Sequence, residues 1–210
     1  PHPYNWPTIG SQEDLDSAKL EDIKDFFRTF YSPSNASIAI AGDIDMKAAL
    51  GLVEKYFSDL VPAAPIAKMQ PIASDLSGTK ILTAEDDVQL ERRYVVWPCP
   101  PAFDEWEPAL DVLSTVLADG KGSRLYRRLV HETEMARDVA AFAYSQELSG
   151  EFFIQATTSK GEETARVSQA IAEEIAAIKK TPPSDEEMER ARNQIETHFV
   201  RNLERTGGFG

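Results

Sequence analysis

Cysteine is almost missing from these 210 residues. Cys99 stands alone, which excludes an internal disulfide and a cysteine-built zinc site and leaves the redox compartment open. Positive charge is also short, with 22 Lys and Arg against 35 Asp and Glu, a formal net charge of -13 and a pI near 4.7. Such a balance argues against nucleic acid or an anionic membrane surface as partner, since neither would be attracted. No stretch is apolar for long enough to span a bilayer, and no signal segment is read at the start. The sequence opens at Pro1 rather than at methionine, so we expect a fragment or a processed chain. The compartment stays open between bacterial periplasm and cytoplasm.

What is present is a soluble globular composition, 42% hydrophobic and 27% charged, long enough for one large domain or two small ones. PHPYNWPTIGS reads as an ordered loop, in which His2 has no partner at metal-ligand spacing. Leu20, Ile23, Phe27 and Phe30 predict an amphipathic helix from Ser17 to about Tyr31, stopped by Ser32-Pro33-Ser34. Ala36 to Gly42 alternates as a short buried strand, and Asp45 caps a helix whose face is Met46, Ala49, Leu50, Val53 and Phe57. Residues 59–79 carry Pro62, Pro65 and Pro71 without periodicity and read as an extended linker, the best domain boundary in the chain.

From Lys80 a second unit begins, with strands over KILTAED and VQLERRYVVW closed by Pro98-Cys99-Pro100-Pro101. Asp104 opens a helix with Trp106, Leu110, Leu113 and Leu117 on one face. After the central stretch come strands at about Val139–Tyr144 and Glu151–Thr158, joined by a hairpin turn at Glu147-Leu148-Ser149-Gly150. Glu162–Lys179 is a helix with Val167, Ile171, Ile175 and Ile178 inward. The last helix starts at a capping box, Ser184 to Glu187, runs through Met188, Ala191, Ile195, Phe199 and Leu203, and ends at Arg205-Thr206-Gly207-Gly208. Strands grouped two and two, with helices between and after them, predict a layered α+β fold rather than a doubly wound one.

The chain is organised around Asp119–Val139. Gly120 and Gly122 end one helix, Ser123 is read as the next N-cap, and Leu125, Leu129 and Thr133 follow at helical spacing. Arg124, Tyr126, Arg127 and Arg128 crowd its first turns, either to meet a carboxylate or peptide carbonyl or to solvate an amphipathic helix. The same helix holds HETEM, His131 to Met135, one residue short of both H-E-x-x-H and H-x-x-E-H. The second imidazole position is Met135, and a thioether is a poor zinc ligand. His131 therefore reads as an exposed histidine on a polar helix face, and no metal site is assigned. Stoichiometric zinc binding would instead turn attention to His131, Glu132 and Glu134.

HPYNWPTIGSQEDL, DIKDFFRTFYSPSNASIAIAGDID and LVEKYFSDL together resemble the downstream part of a pitrilysin-type zinc peptidase module, the family of insulinase and the mitochondrial processing peptidases. GKGSRLYRRLVHE, SGEFFIQATT and TPPSDEEMERARNQI resemble the first part of that family's following, non-catalytic module. The resemblance covers essentially the whole chain. It implies two similar α+β modules, each a mainly antiparallel sheet covered on one face by helices. Residues 1 to about 60 would close the catalytic-type module, 61–79 would link, and 80–210 would open the non-catalytic one.

The family's zinc ligands, an H-x-x-E-H helix and a more distant Glu, would lie upstream, so this chain is expected to bind no cofactor while the intact parent holds zinc. The helix at Ser123–Arg137 would occupy the place of the zinc helix. Family members bind substrate there with an Arg and a Tyr in a pattern like L-R-E-x-x-G-L-x-Y, from which Val130 and Arg137 depart. Arg124 and Tyr126 match family residues and are the candidate substrate-binding pair. Two functions are implied. One is the substrate-enclosing, catalytically inactive section of a zinc metalloendopeptidase acting on peptides or unfolded polypeptide. The other is a non-catalytic partner or assembly subunit, in a homo- or hetero-dimer.

Overall fold

The computed structural model describes residues 2–72, 76–205 and 207. The chain divides between Gln70 and Pro71 into two compact units.

The first unit is helical. Ser11 Oγ accepts the Asp14 N–H at 3.0 Å and so starts α1, Gln12–Ser17; α2 follows at Leu20–Phe30 and α3 at Met46–Phe57, where Asp45 Oδ1 accepts the Ala48 N–H at 2.8 Å. The single helix expected over 17–31 is thus two, because Ala18 and Lys19 take extended backbone between them. The predicted strand at 36–42 is not formed. A strand needs a neighbour for its N–H and C=O groups, and among the described residues this unit has no other strand. The apolar stripe of Leu20, Ile23, Phe27 and Phe30 forms as spaced but stays exposed, with Phe30 in tilted ring contact with Phe26 and Phe27 with Tyr31.

The second unit holds a three-stranded antiparallel sheet of β1 (Arg92–Cys99), β2 (Ala136–Ser145) and β3 (Gly150–Thr158), in the order β1-β3-β2. Val95 lies opposite Ile154 and Ile154 opposite Ala141, so these side chains share one face. That face carries the core. Phe152, Ile154 and Ala156 of β3 pack with Val139 of β2, Leu117 of α4 (Glu107–Ala118), Leu125 and Leu129 of the segment after it, and Val167 and Ile171 of α5 (Thr164–Lys180). Leu117, Leu125, Leu129, Ile154 and Val167 are fully buried. Each contributes roughly 1.5–3 kcal/mol relative to exposure. The last helix, α6, is Asp185–Glu204. This is the expected α+β arrangement, a sheet covered by helices on one face.

Several boundaries move. KILTAED forms no strand, with Leu82 at 93% exposure, and β1 starts at Arg92 rather than Val88. Trp106, expected inward, precedes α4 and is exposed, because the helix starts at Glu107 and buries only its last turn, Thr115–Ala118. α6 keeps its capping box, with Ala191 buried, but Phe199 and Leu203 are exposed. Its expected Gly-rich ending includes positions 206 and 208, outside the described residues.

Candidate functional site

The turn between α4 and the central helix is built on glycine. Gly120 has φ +77°, a left-handed conformation favoured by glycine at a helix C-terminus, and a Cβ there would lie 2.7 Å from Gln194 Nε2 of α6. Ser123 stands just before the first helical residue and its carbonyl accepts the Arg127 N–H at 2.9 Å, but its side chain turns back. Its fully buried hydroxyl donates back to the Gly120 carbonyl at 2.7 Å and locks the turn instead.

The helix that follows is a π-helix, Tyr126–Glu132, ending with the Thr133 N–H on the Arg128 carbonyl at 3.1 Å, a step of five residues. It does not reach Arg137. Glu134 takes φ +53° and turns the chain toward β2, so Met135 is buried outside the helix. His131 and Met135 therefore do not share one helical face. Among the described residues no three His, Cys, Asp or Glu side chains gather to hold a metal, and His131, Glu132 and Glu134 do not form a donor set that fits zinc.

Arg124 is committed within the fold. Its Nε and Nη2 donate to Glu187 Oε1 and Oε2 at 2.7 and 2.8 Å, and Nη1 lies 3.9 Å from Glu174. Glu187 also accepts the Ser184 N–H at 2.9 Å, so one carboxylate caps α6 and holds the arginine. The Arg124 hydrogen bonds pull the Glu187 carboxyl down to about 2, and the same pair raises the Arg124 guanidinium. Arg128 pairs with Glu173 and lies 3.8 Å from Glu174 on α5, which lowers Glu173, chiefly through the Arg128 hydrogen bond. Arg127 is exposed and lies 3.5 Å from Glu132. Tyr126 is half-buried against the core. The arginine cluster thus meets carboxylates, and these belong to the protein itself.

Arg137 occupies a β-bulge, the extra residue between Ala136 and Asp138 opposite Thr158 and Thr157, and its side chain is exposed. A bulge re-aims its side chain relative to the ladder. The residue thus leaves the strand's alternation.

A second surface escaped the sequence reading. The sheet face away from the core is ordered in rows across β1, β3 and β2: Arg92, Thr157, Asp138; then Tyr94, Gln155, Ala140; then Val96, Phe153, Phe142; then Pro98, Glu151, Tyr144. Phe142 and Phe153 stack at 5.1 Å with planes 14° apart, and Tyr94, Val96, Phe142 and Tyr144 are exposed. At one end Arg92 Nε donates to Thr157 Oγ1 at 3.1 Å and Thr157 Oγ1 donates to Asp138 at 3.0 Å. A hydrogen bond with Tyr94 raises the Arg92 guanidinium. The signal was in the sequence as strands apolar on both alternations, Tyr94 and Val96 beside Val95, Phe153 beside Phe152. Aromatic rings on a flat sheet, with unpaired outer edges on β1 and β2 among the described residues, suit contact with extended polypeptide.

A family model described as peptidase M16 inactive domain matches residues 17–195. The zinc protease PqqE of Helicobacter pylori is 28% identical over 209 residues, covering 97% of this chain and 46% of that protein. A probable mitochondrial-processing peptidase subunit beta of Arabidopsis thaliana is 26% identical over 216 residues, covering 97% and 40%. The crystal structure of a protease from Helicobacter pylori matches with TM-score 0.76 at 24% identity, over 99% of this chain and 51% of that one. A peptidase M16 inactive domain from Pseudomonas fluorescens matches with TM-score 0.75 at 19% identity, over 93% and 47%. The chain spans about half the length of the curated relatives it matches.

Proposed function

Because the chain belongs to the peptidase M16 inactive domain family, we propose that it is the substrate-enclosing, non-zinc-binding section of a zinc metalloendopeptidase that cleaves peptides or unfolded protein segments. Residues 1–60 end the catalytic-type module, 61–79 link, and 80–210 begin the inactive one. Zinc held in the intact protein by ligands outside this chain would supply Lewis-acid activation of the scissile carbonyl and of water. This chain's part is to hold the polypeptide. The observation that carries the reading is the sheet face away from the core, where Tyr94, Val96, Phe142 and Tyr144 stay exposed beside strand edges unpaired among the described residues. Strand addition there gives backbone hydrogen bonds that tolerate many sequences, and the rings supply apolar contact. Arg124 and Tyr126 serve substrate binding by anchoring the π-helix and its exposed neighbours, since the Arg124 guanidinium already holds Glu187.

The test joins this chain to its upstream module and measures zinc-dependent cleavage of an unfolded peptide. Phe142→Ser is expected to raise KM several-fold with kcat little changed. A full complement of zinc with no cleavage of any unfolded peptide, or an unchanged KM in the variant, refutes the reading.

A second reading, a non-catalytic partner or assembly subunit, is favoured by Val130 and Arg137, which stand where the family pattern has Arg and Tyr. The encoded sequence upstream of Pro1 separates the two, because H-x-x-E-H is required by the first and missing in the second.

A further inference from the structure

The two outer edges of the sheet are not alike. Thr158 gives its N–H to the Glu91 carbonyl at 2.9 Å, and hydrogen-bonded and non-hydrogen-bonded pairs alternate along an antiparallel ladder. Arg92, Tyr94, Val96 and Pro98 therefore turn their backbone groups away from β3. Pro98 has no N–H, so a strand added along β1 meets a gap there. Across the sheet, Ser159 gives its N–H to the Met135 carbonyl at 2.9 Å, and the same alternation directs Thr157, Gln155, Phe153 and Glu151 at β2. The outward backbone groups of β2 are then those of Val139, Ala141, Ala143 and Ser145. None of these residues is proline or charged, and none of their backbone groups has a partner outside the sheet among the described residues.

This edge is complementary to itself. Run antiparallel against a second copy about a two-fold axis at Phe142, it pairs Ala141 with Ala143 and Val139 with Ser145, each pair exchanging backbone bonds in both directions. On the aromatic face Phe142 then meets Phe142 of the other copy, extending its stack with Phe153, and Ala140 lies opposite Tyr144, small against large. The ends match in charge. Arg137 on the bulge is exposed and has no carboxylate partner among the described residues, while Glu147, exposed just past the other end of the strand, has no cation. Antiparallel pairing sets the Arg137 end of each edge on the Glu147 end of the other.

We infer that the outer edge of β2, residues 139–145, is the interface with a second copy of this chain, joining the two sheets into one. The inference is independent of the peptidase reading, because it uses an edge and leaves the aromatic face and β1 to a polypeptide. A net charge of -13 on each copy opposes the pairing, and salt screens that repulsion.

Sedimentation equilibrium of the protein tests it, at about 100 µM chain because an edge pairing is smaller than a standard interface of about 1,600 Å², and at about 0.15 M salt. A mass twice that of the chain is expected. The Ala141 N–H faces outward, so Ala141→Pro takes no bond from the protein's own ladder, yet it should weaken the dimer at least tenfold, since the two-fold axis doubles each lost bond. Arg137→Glu should weaken it about tenfold, and adding Glu147→Arg should restore it. A monomer at this concentration, or a dimer untouched by Ala141→Pro, overturns the inference. Should the proline variant lose its sheet by circular dichroism, the charge exchange decides: weakening followed by restoration supports the edge pairing, and the lack of either refutes it.

Discussion

Glu187→Gln isolates one charge with little change in shape. Glutamine still reaches the Ser184 N–H through its carbonyl oxygen, so the cap on α6 survives in weakened form, while the Arg124 guanidinium, at 12% side-chain exposure, loses its counter-ion. The carboxyl stands at about 2 in the folded protein against 4.5 for the free group. Part of that displacement comes from the Ser184 bonds, which glutamine keeps in weakened form, and solvent screens the rest, so the ion pair itself contributes about 1–2 kcal/mol. The folded carboxyl is depressed, so its contribution is fully present above about pH 4.5 and is lost as pH falls through about 2. Urea unfolding of both proteins, followed by fluorescence of Trp97 beside Phe152, measures the gap from about pH 7 downward. The unaltered protein should lead by about 1–2 kcal/mol at neutral pH, and the lead should close between about pH 4.5 and 2. Other carboxylates titrate in both proteins and cancel. A lead that does not change across this window, or coincident urea midpoints at neutral pH, refutes the ion-pair account.

Three further outcomes follow from the geometry. Gly120→Ala adds a Cβ at φ +77° that meets Gln194 Nε2 at 2.7 Å, and should lower stability by about 1–2 kcal/mol in thermal melts. Glu134→Gly relieves a left-handed residue at φ +53° and should gain up to about 1 kcal/mol, which the same melts would show as a raised midpoint. Leu129→Ala opens a cavity at a fully buried position between the π-helix and β2 and should cost about 2–5 kcal/mol in urea unfolding, whereas a cost under about 1 kcal/mol would mean the site is not packed as described.

Local patterns carried much of the fold into the sequence. The capping box at Ser184 and Glu187, the hairpin between β2 and β3, and the inward faces of Val167 and Ile171 all depend on residues a few positions apart, and each is found in place. What failed to form depends on distant partners. Residues 36–42 and KILTAED have strand alternation, but alternation describes a segment's preference while a strand requires a neighbour. The stripes on α2 and at Phe199 and Leu203 formed as spaced, and their side chains stay exposed.

At the candidate site the carboxylates that meet Arg124 were invisible for the same reason, since Glu187 is 63 positions away. The π-helix was hidden because Leu125 and Leu129 suit either helical register, and only the five-residue bond from Thr133 distinguishes them. Glu134 gave no turn signal, because glycine, not glutamate, is the residue that announces a left-handed backbone. The helix-free sheet face is hidden from any single apolar alternation, because both alternations of these strands are apolar.

The order β1-β3-β2 puts the strand made last in the middle. During synthesis β1 emerges with no edge to join, and it stays so while α4, the π-helix and β2 follow. β2 and β3 close quickly across their short turn, but β1 meets β3 only by closing a loop that already contains a finished helix. Until Gly150 and the residues after it have left the ribosome, RRYVVWPC is an unpaired apolar segment. The growing chain is therefore most open to mispairing in that interval, and Arg92 and Arg93 at the head of the strand are the charges that oppose it.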